Sequence, residues 1–361
     1  PLESTGAAPI GSLRMHLAGV SVWCMDARRG GRLLRGRVPA VMCLRVRSSQ
    51  RVRRRRRRCV LVRGHRRRRA HQVQHGLAPL LRPVRLADDL PELLLVQNVE
   101  IFQTPIDDAW CRDTGAIFLL NEKNQLGGVD SDFNCWGYKE NFEQDDKVAK
   151  FMINEANATY FKNDMVLEGG SIHVNGQGTL ITTEQCLLHE NRNPHLSKDD
   201  IENNLKKFFG VTKIIWLEHG TDEGTNGHID NVACFSDEGT ILAMTCSDKQ
   251  DTYYDLLSEN LEILKTSVDQ DNKPLNIVEL EMSKKRLIPD DDEPSSYINF
   301  YIANDAVIFP IFGDDVADQN AMKIIKSQFP NRQIVCLDGH DILMGGGNIH
   351  CITQQQPKAL L

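Results

Sequence analysis

Four short stretches hold residues whose types and spacing could do chemistry. Residues 344–354 read Met-Gly-Gly-Gly-Asn-Ile-His-Cys-Ile-Thr-Gln. Three glycines let a backbone come close to a ligand and adopt positive φ. They lead into Cys351, with Gln354, Gln355 and Gln356 behind it. A cysteine at the end of an uncrowded glycine loop is a nucleophile if its pKa is lowered. The competing reading is a glycine turn with an incidental cysteine, and the stretch alone does not choose. Residues 341–344, just ahead, read as a short strand or turn.

The other three stretches supply partners. Residues 110–113 are Trp-Cys-Arg-Asp in an acid-rich loop. An aromatic wall beside a carboxylate suits a flat cation, although Asp107 and Asp108 also fit as turn acids. Glu168 ends the apolar run 165–167 and precedes Gly169-Gly170; a surface acid or a bulge partner is the alternative. His228 and Asp230 are two apart, so an extended segment would put them on one face. A His/carboxylate pair is the acid–base set a cysteine nucleophile needs. A metal would need a third and fourth ligand, and no second spaced cluster supplies them.

The elements that must position these residues follow a rhythm. Strands are expected over 116–120, within 127–136, over 159–161 and over 179–183, where Asn175-Gly176 signals a hairpin. Helices are expected over 144–156 and from a Ser197 cap to Phe209, with an acid at the third following position. Further strands fall at 213–217, 232–236, 240–246 and 276–280, with a helix over 253–266. A hairpin of 297–303 and 306–310, a helix over 316–329 and a strand over 333–337 complete the pattern. Strand-strand-helix-strand thus recurs, and no Gly-x-Gly-x-x-Gly lies between a strand and a helix.

Composition divides the chain. Residues 1–90 hold 22 arginines, no lysine and four acids, a balance of +18. From residue 91 onward there are 17 lysines, four arginines and 45 acids, a balance of −24. The first block includes the unbroken run Arg53 to Arg58 and lacks periodicity, so it cannot bury enough apolar surface to fold. It reads as a disordered nucleic-acid-binding arm, a transit peptide, or an out-of-frame segment. Two regions follow: 1–90, Arg-rich, and 91–361, the catalytic domain. Ten cysteines without a Cys-x-x-Cys pair fit reduced thiols in a cytoplasmic protein. No apolar run is long enough to span a bilayer, and no signal-peptide core is present.

Taken together, the motifs resemble the agmatine deiminase family, which includes the bacterial-type peptidylarginine deiminases. The residues that carry the resemblance are 110–113, Leu-Glu-Gly-Gly-Ser-Ile-His at 167–173, Asn-Gly-His-Ile-Asp-Asn at 226–231, and 345–355, in order over about 97–357. The resemblance implies an α/β fold, a five-bladed propeller (pentein) of β-β-α-β modules with its site on the central axis. Residues 1–90 offer no counterpart to the first module, so that module is expected to be absent or disrupted. The implied reaction is hydrolysis of agmatine to N-carbamoylputrescine and ammonia, in putrescine biosynthesis, with neither metal nor organic cofactor. By motif, Cys351 is the nucleophile that forms an amidino-thioether and His228 the proton shuttle. Glu168 orients His228, Asp113 and Asp230 grip the guanidinium, and Trp110 flanks it.

One position departs from the pattern. The family carries an acid just before Thr-Asn-Gly-His, where this chain has Gly224, leaving Glu223 or Asp222 for agmatine's distal amine. Deimination of peptidyl or free arginine uses the same chemistry. An α-carboxylate would need a cation, however, and the catalytic part is nearly free of arginine. The third reading is an inactive fragment whose basic tail binds nucleic acid in a salt-sensitive way. Expected partners are a small guanidine substrate, no membrane, nucleic acid only if the basic block is genuine, and a second copy in a homodimer.

Overall fold

Four times between residues 117 and 338 the chain runs strand, strand, helix, strand. The first unit is Ile117–Leu120, Leu126–Asp132, helix Val148–Glu155 and Thr159–Val166. The second is Ile172–Val174, Thr179–Thr183, helix Lys198–Phe209 and Lys213–Leu217. The third is Ala233–Phe235, Thr240–Thr245, helix Tyr253–Thr266 and Asn276–Glu281. The fourth is Tyr301–Ile302, Ala306–Ile311, helix Asp315–Gln328 and Gln333–Asp338. These come from a computed structural model that describes residues 21–25, 41–46, 99–138, 141–285 and 295–358.

Each unit forms its own sheet. Its first two strands pair antiparallel and its last two parallel. A parallel pair needs a long crossover, and the helix provides it. The α/β class expected from the sequence therefore holds. The second helix shows how local sequence sets its ends. Ser197 Oγ accepts from Asp200 N at 3.2 Å while Asp200 Oδ2 accepts from Ser197 N at 3.0 Å, two orphan donors satisfied at once. Gly210, at φ 65°, closes the helix in the left-handed region.

A fifth sheet has a different build. Its order is Thr353–Gln356, Ser21–Met25, Val41–Val46, Val99–Thr104, antiparallel throughout. Two segments from the Arg-rich block thus pair with conventional chain, and one of them lies beside the strand that follows Cys351. The remainder of residues 1–98, with the proposed arm or transit peptide, lies outside the described residues.

Leu217, Phe235, Ile241, Tyr297, Phe309 and Ile325 belong to one buried cluster spanning the second to fourth units. A second cluster, including Leu119, Leu167, Leu180 and Leu205, joins the first two units. These contacts fix the links between units, and those links carry the chemistry. Asp113 lies just before the first unit, Glu168 between the first and second, and His228 with Asp230 between the second and third. Asn299 lies between the third and fourth, and Cys351 after the fourth.

Two local expectations fail and a third is resolved. Of the strand or turn expected over 341–344, the structure shows the turn: His340–Leu343 is a helical turn with Leu343 buried, and Asp338 Oδ1 accepts from His340 N at its start. Residues 110–115 are not a loop, because Cys111–Thr114 is helical. The strand expected over 297–303 shrinks to Tyr301–Ile302, because Tyr297, Ile298 and Phe300 pack into the core from an irregular link.

Candidate active site

The helical turn Cys111–Thr114 points two charged side chains inward. Arg112 N donates to the Cys351 carbonyl at 3.0 Å, and its side chain clamps the same region. Nη1 donates to Gln354 Oε1 at 2.7 Å and Gln355 Oε1 at 2.6 Å, and Nε donates to the His350 carbonyl at 3.3 Å. Asp113 Oδ1 accepts from Gly170 N at 2.9 Å, and Oδ2 accepts from Trp136 Nε1 at 3.1 Å. Burial, with Asp230 and Glu168 nearby, pushes the Asp113 carboxyl up to about 6 despite the opposing pull of His228.

Gly170 is the meeting point. A Cβ there would lie 2.5 Å from His228 Nδ1, 2.8 Å from Asp113 Oδ1 and 3.2 Å from Asp230 Oδ2. Only a glycine lets these three groups converge. His228 and Asp230 are brought together by a 3-10 turn, Ile229–Asn231, and not by the extended segment that their spacing suggests. Upstream, Asp222 Oδ1 accepts from Thr225 N (2.7 Å) and Thr225 Oγ1 (2.6 Å), and Thr225 Oγ1 accepts from His228 N (3.1 Å). Asp222 is therefore buried and engaged in building the loop, while Glu223 is exposed.

Burial alone would lower the His228 imidazole. Asp113, Cys186 and Glu168 together outweigh it and hold the ring well above its ordinary range. Glu168 is completely buried, and Arg192 Nε stands 2.7 Å from its Oε1. The same guanidinium donates to Asn226 Oδ1 at 2.9 Å and to the Thr225 carbonyl at 2.8 Å. Arg192 thus ties Glu168 to the loop that carries His228. Glu168, Cys186 and His228 each bring one potential ligand atom within 4.8 Å of the others. A cationic imidazole and an arginine on the carboxylate suit an ion-paired network better than a metal site.

Cys351 is buried, with its Sγ 3.6 Å from Asp230 Oδ2 and 3.1 Å from Asn299 Nδ2. Burial and the charges of Asp230 and Asp113 push the thiol well up, against hydrogen bonds from the Asn348 backbone and from Asn299. His350 Nδ1 lies 2.7 Å from Asp230 Oδ2. Burial, Arg112 and His228 push His350 well below its ordinary range, while burial raises the Asp230 carboxyl, so one proton is shared between the two groups. Asp230 Oδ1 is buried and has no hydrogen-bond partner among the described residues.

The glycine loop is not uncrowded. A Cβ on Gly347 would lie 2.5 Å from Trp110 Cζ3, and Gly346 sits at φ 97°. The Trp110 indole packs on Gly345 and Gly347, and the positive φ of Gly346 favours glycine there. The structure gathers Cys351, His228, Asp113, Asp230, Glu168 and Trp110 around one interior, and Glu223 is exposed. Sequence reasoning did not single out His350, Asn299 or Arg192.

A family model described as Porphyromonas-type peptidyl-arginine deiminase matches residues 44–357, reaching further upstream than the motifs themselves. A Legionella pneumophila protein is 42% identical over 274 residues, covering 75% of this chain and 79% of that protein. The agmatine deiminase of Medicago truncatula is 37% identical over 297 residues, with 73% and 79% covered. Among solved structures, a substrate-bound C. jejuni agmatine deiminase is 35% identical, with TM-score 0.70 over 76% of this chain and 81% of that one. An agmatine deiminase of Enterococcus faecalis is 37% identical, with TM-score 0.68 over 71% and 77%. No helix among the described residues is long and apolar enough to cross a membrane.

Proposed function

The chain belongs to the Porphyromonas-type peptidyl-arginine deiminase family, and from that premise we propose that it hydrolyses the guanidinium of agmatine to N-carbamoylputrescine and ammonia. One observation carries this reading. A buried thiol shares its interior with two carboxylates, and one oxygen, Asp230 Oδ1, lacks a donor among the described residues. A planar cation would bring N–H groups to such oxygens, and its charge would favour thiolate over thiol. The names of the plant relative and of the two solved structures agree with agmatine as the substrate.

In the steps we infer, Asp113 and Asp230 hold the guanidinium plane against Trp110, and the thiol proton leaves toward Asp230. The thiolate attacks the guanidinium carbon. His228, held protonated by Asp113, Cys186 and Glu168, gives its proton to the departing nitrogen, and ammonia leaves. An amidino-thioether remains on Cys351. Neutral His228 then takes a proton from water and the hydroxide adds to the same carbon; as the C–S bond breaks, the added hydroxyl loses its proton to the released ammonia, the ureido product leaves, and the Cys351 sulfur takes its proton back from Asp230. Holding the reacting groups in place is the main contribution of such a site, since a guanidinium is a poor electrophile. Glu223 is the acid best placed in sequence for the distal amine.

The five sheets, four of them repeats of one plan, support reading the fold as a five-bladed propeller whose links converge on the site. The antiparallel sheet that includes the two upstream strands would stand in the place of the first module. Ammonia release from agmatine and from arginine, by this chain and by Cys351→Ser, tests the function. Release from agmatine only, lost in the variant, is expected; turnover surviving in Cys351→Ser removes the covalent mechanism.

A further inference from the structure

Each link between units brings a functional side chain to the interior, and the third link brings Asn299. Its side chain is completely buried and touches the reacting sulfur. We propose that Asn299 is a catalytic residue, whose side-chain N–H holds the negative charge of the Cys351 thiolate before and after attack on the guanidine carbon. This rests on the guanidine-hydrolysing reading of the site.

The orientation of the amide decides the matter, because an asparagine can be turned either way on distance alone. Here the choice is forced. Asn299 Oδ1 lies 2.9 Å from His350 N, a backbone group that can only donate. The oxygen must face that N–H, so Nδ2 must face the sulfur. The other side-chain contact of Nδ2 is Asn231 Oδ1, an acceptor at 3.0 Å. An N···S separation of 3.1 Å is close for so large an acceptor and suits a charged one.

The acceptor oxygens around the sulfur work the other way. Asp230 Oδ2 at 3.6 Å accepts, and so does Asn299 Oδ1 at 3.5 Å. Each can accept a hydrogen bond from the thiol, only the carboxylate can take its proton, and both repel the thiolate. A donor fixed in a dry interior is worth more than the same bond in water, and it needs no reorganisation when charge appears. The link is itself fixed: Ser296 Oγ donates to the Asn231 carbonyl at 2.8 Å and accepts from Ile298 N at 3.2 Å. Asn299 therefore couples the backbone of the Cys351 loop to the turn carrying Asp230.

The test measures iodoacetamide alkylation of Cys351 against pH without substrate, read by peptide mass spectrometry, in the full chain, in Asn299→Asp and in Asn299→Ala. Asn299→Asp keeps the shape and the acceptor for His350 N but loses the donor. Asn299→Ala loses the donor without adding charge. Both midpoints are expected to rise by at least one unit, which slows alkylation near neutral pH about tenfold. In parallel, kcat falls while KM holds. A merely structural role would lower the melting temperature and leave the midpoint in place, and that result in either folded variant overturns the proposal. Alkylation needs no agmatine, so the midpoint still tests Asn299 in a chain that does not turn agmatine over.

Discussion

His228 and His350 are both buried in one acid-rich interior, at 1% and 9% exposure, yet their charges go opposite ways. Burial pulls both imidazoles down. Around His228 it is outweighed by Asp113, Cys186 and Glu168, while around His350 it is reinforced by Arg112 and by His228 itself. Neighbours, not depth, decide. The contrast separates the roles: the ring favoured as a cation can give a proton to a leaving amine, while the ring pushed toward neutrality stays paired with Asp230.

The largest expected effect comes from removing the charged member. His228→Gln should lower kcat roughly 10²–10⁴-fold, the usual worth of a general acid–base group. His350→Gln can still donate to Asp230 and should cost about tenfold at most, the worth of one hydrogen bond lost outright. Equal losses in steady-state assays would erase the distinction between the two rings. Gly170→Ala, which drives a methyl into His228, Asp113 and Asp230, should cost about 100-fold or more in kcat even where the protein folds normally.

The support of the charged ring comes next. Arg192→Ala leaves Glu168 buried without its cation and should cost about 3–5 kcal/mol in denaturant unfolding. Arg192→Lys should recover only part of this, since one ammonium cannot replace the forked contacts to Asn226 and Thr225. An unchanged midpoint in Arg192→Ala would mean that the pair does not hold the loop.

Asp113 gives a pH test in which stability and activity move oppositely. Its carboxyl is raised from an ordinary 3.8 to about 6. Folding therefore favours the protonated form. The associated stability is complete below 3.8 and is lost as pH rises through about 6. Asp113→Asn should remove that slope from a stability–pH curve. The substrate cation needs the ionised form, so kcat/KM should rise through about pH 6. A profile flat across that window would contradict the role of Asp113. The smallest effect is expected from Gly347→Ala, whose methyl meets Trp110. It should cost about 1–3 kcal/mol, typical of overpacking, in thermal unfolding.

Much of this was legible in the sequence. Periodicity found the crossover helices to within a few residues, and Ser197 marked the start of one of them. Motif residues in the links gave Asp113, Glu168, His228, Asp230 and Cys351. What stayed hidden depends on tertiary approach. Spacing cannot show that His228 and Asp230 meet through a 3-10 turn, or that Trp110 crowds the glycines. Asn299 lies in an irregular link with no repeat or charge to mark it. Arg192 did leave a signal: in a stretch using 17 lysines and four arginines, an arginine is reserved for forked, buried contacts. Arg112 and Arg192 are both such cases.

The central claim is that Cys351 forms a covalent bond to the substrate carbon inside this acid cage. Acid quenching during turnover, followed by peptide mass spectrometry, measures it directly. The account predicts an increment equal to agmatine minus ammonia on the peptide containing Cys351, absent from Cys351→Ser. Sustained ammonia release with no adduct, or an adduct on Cys186, would contradict it.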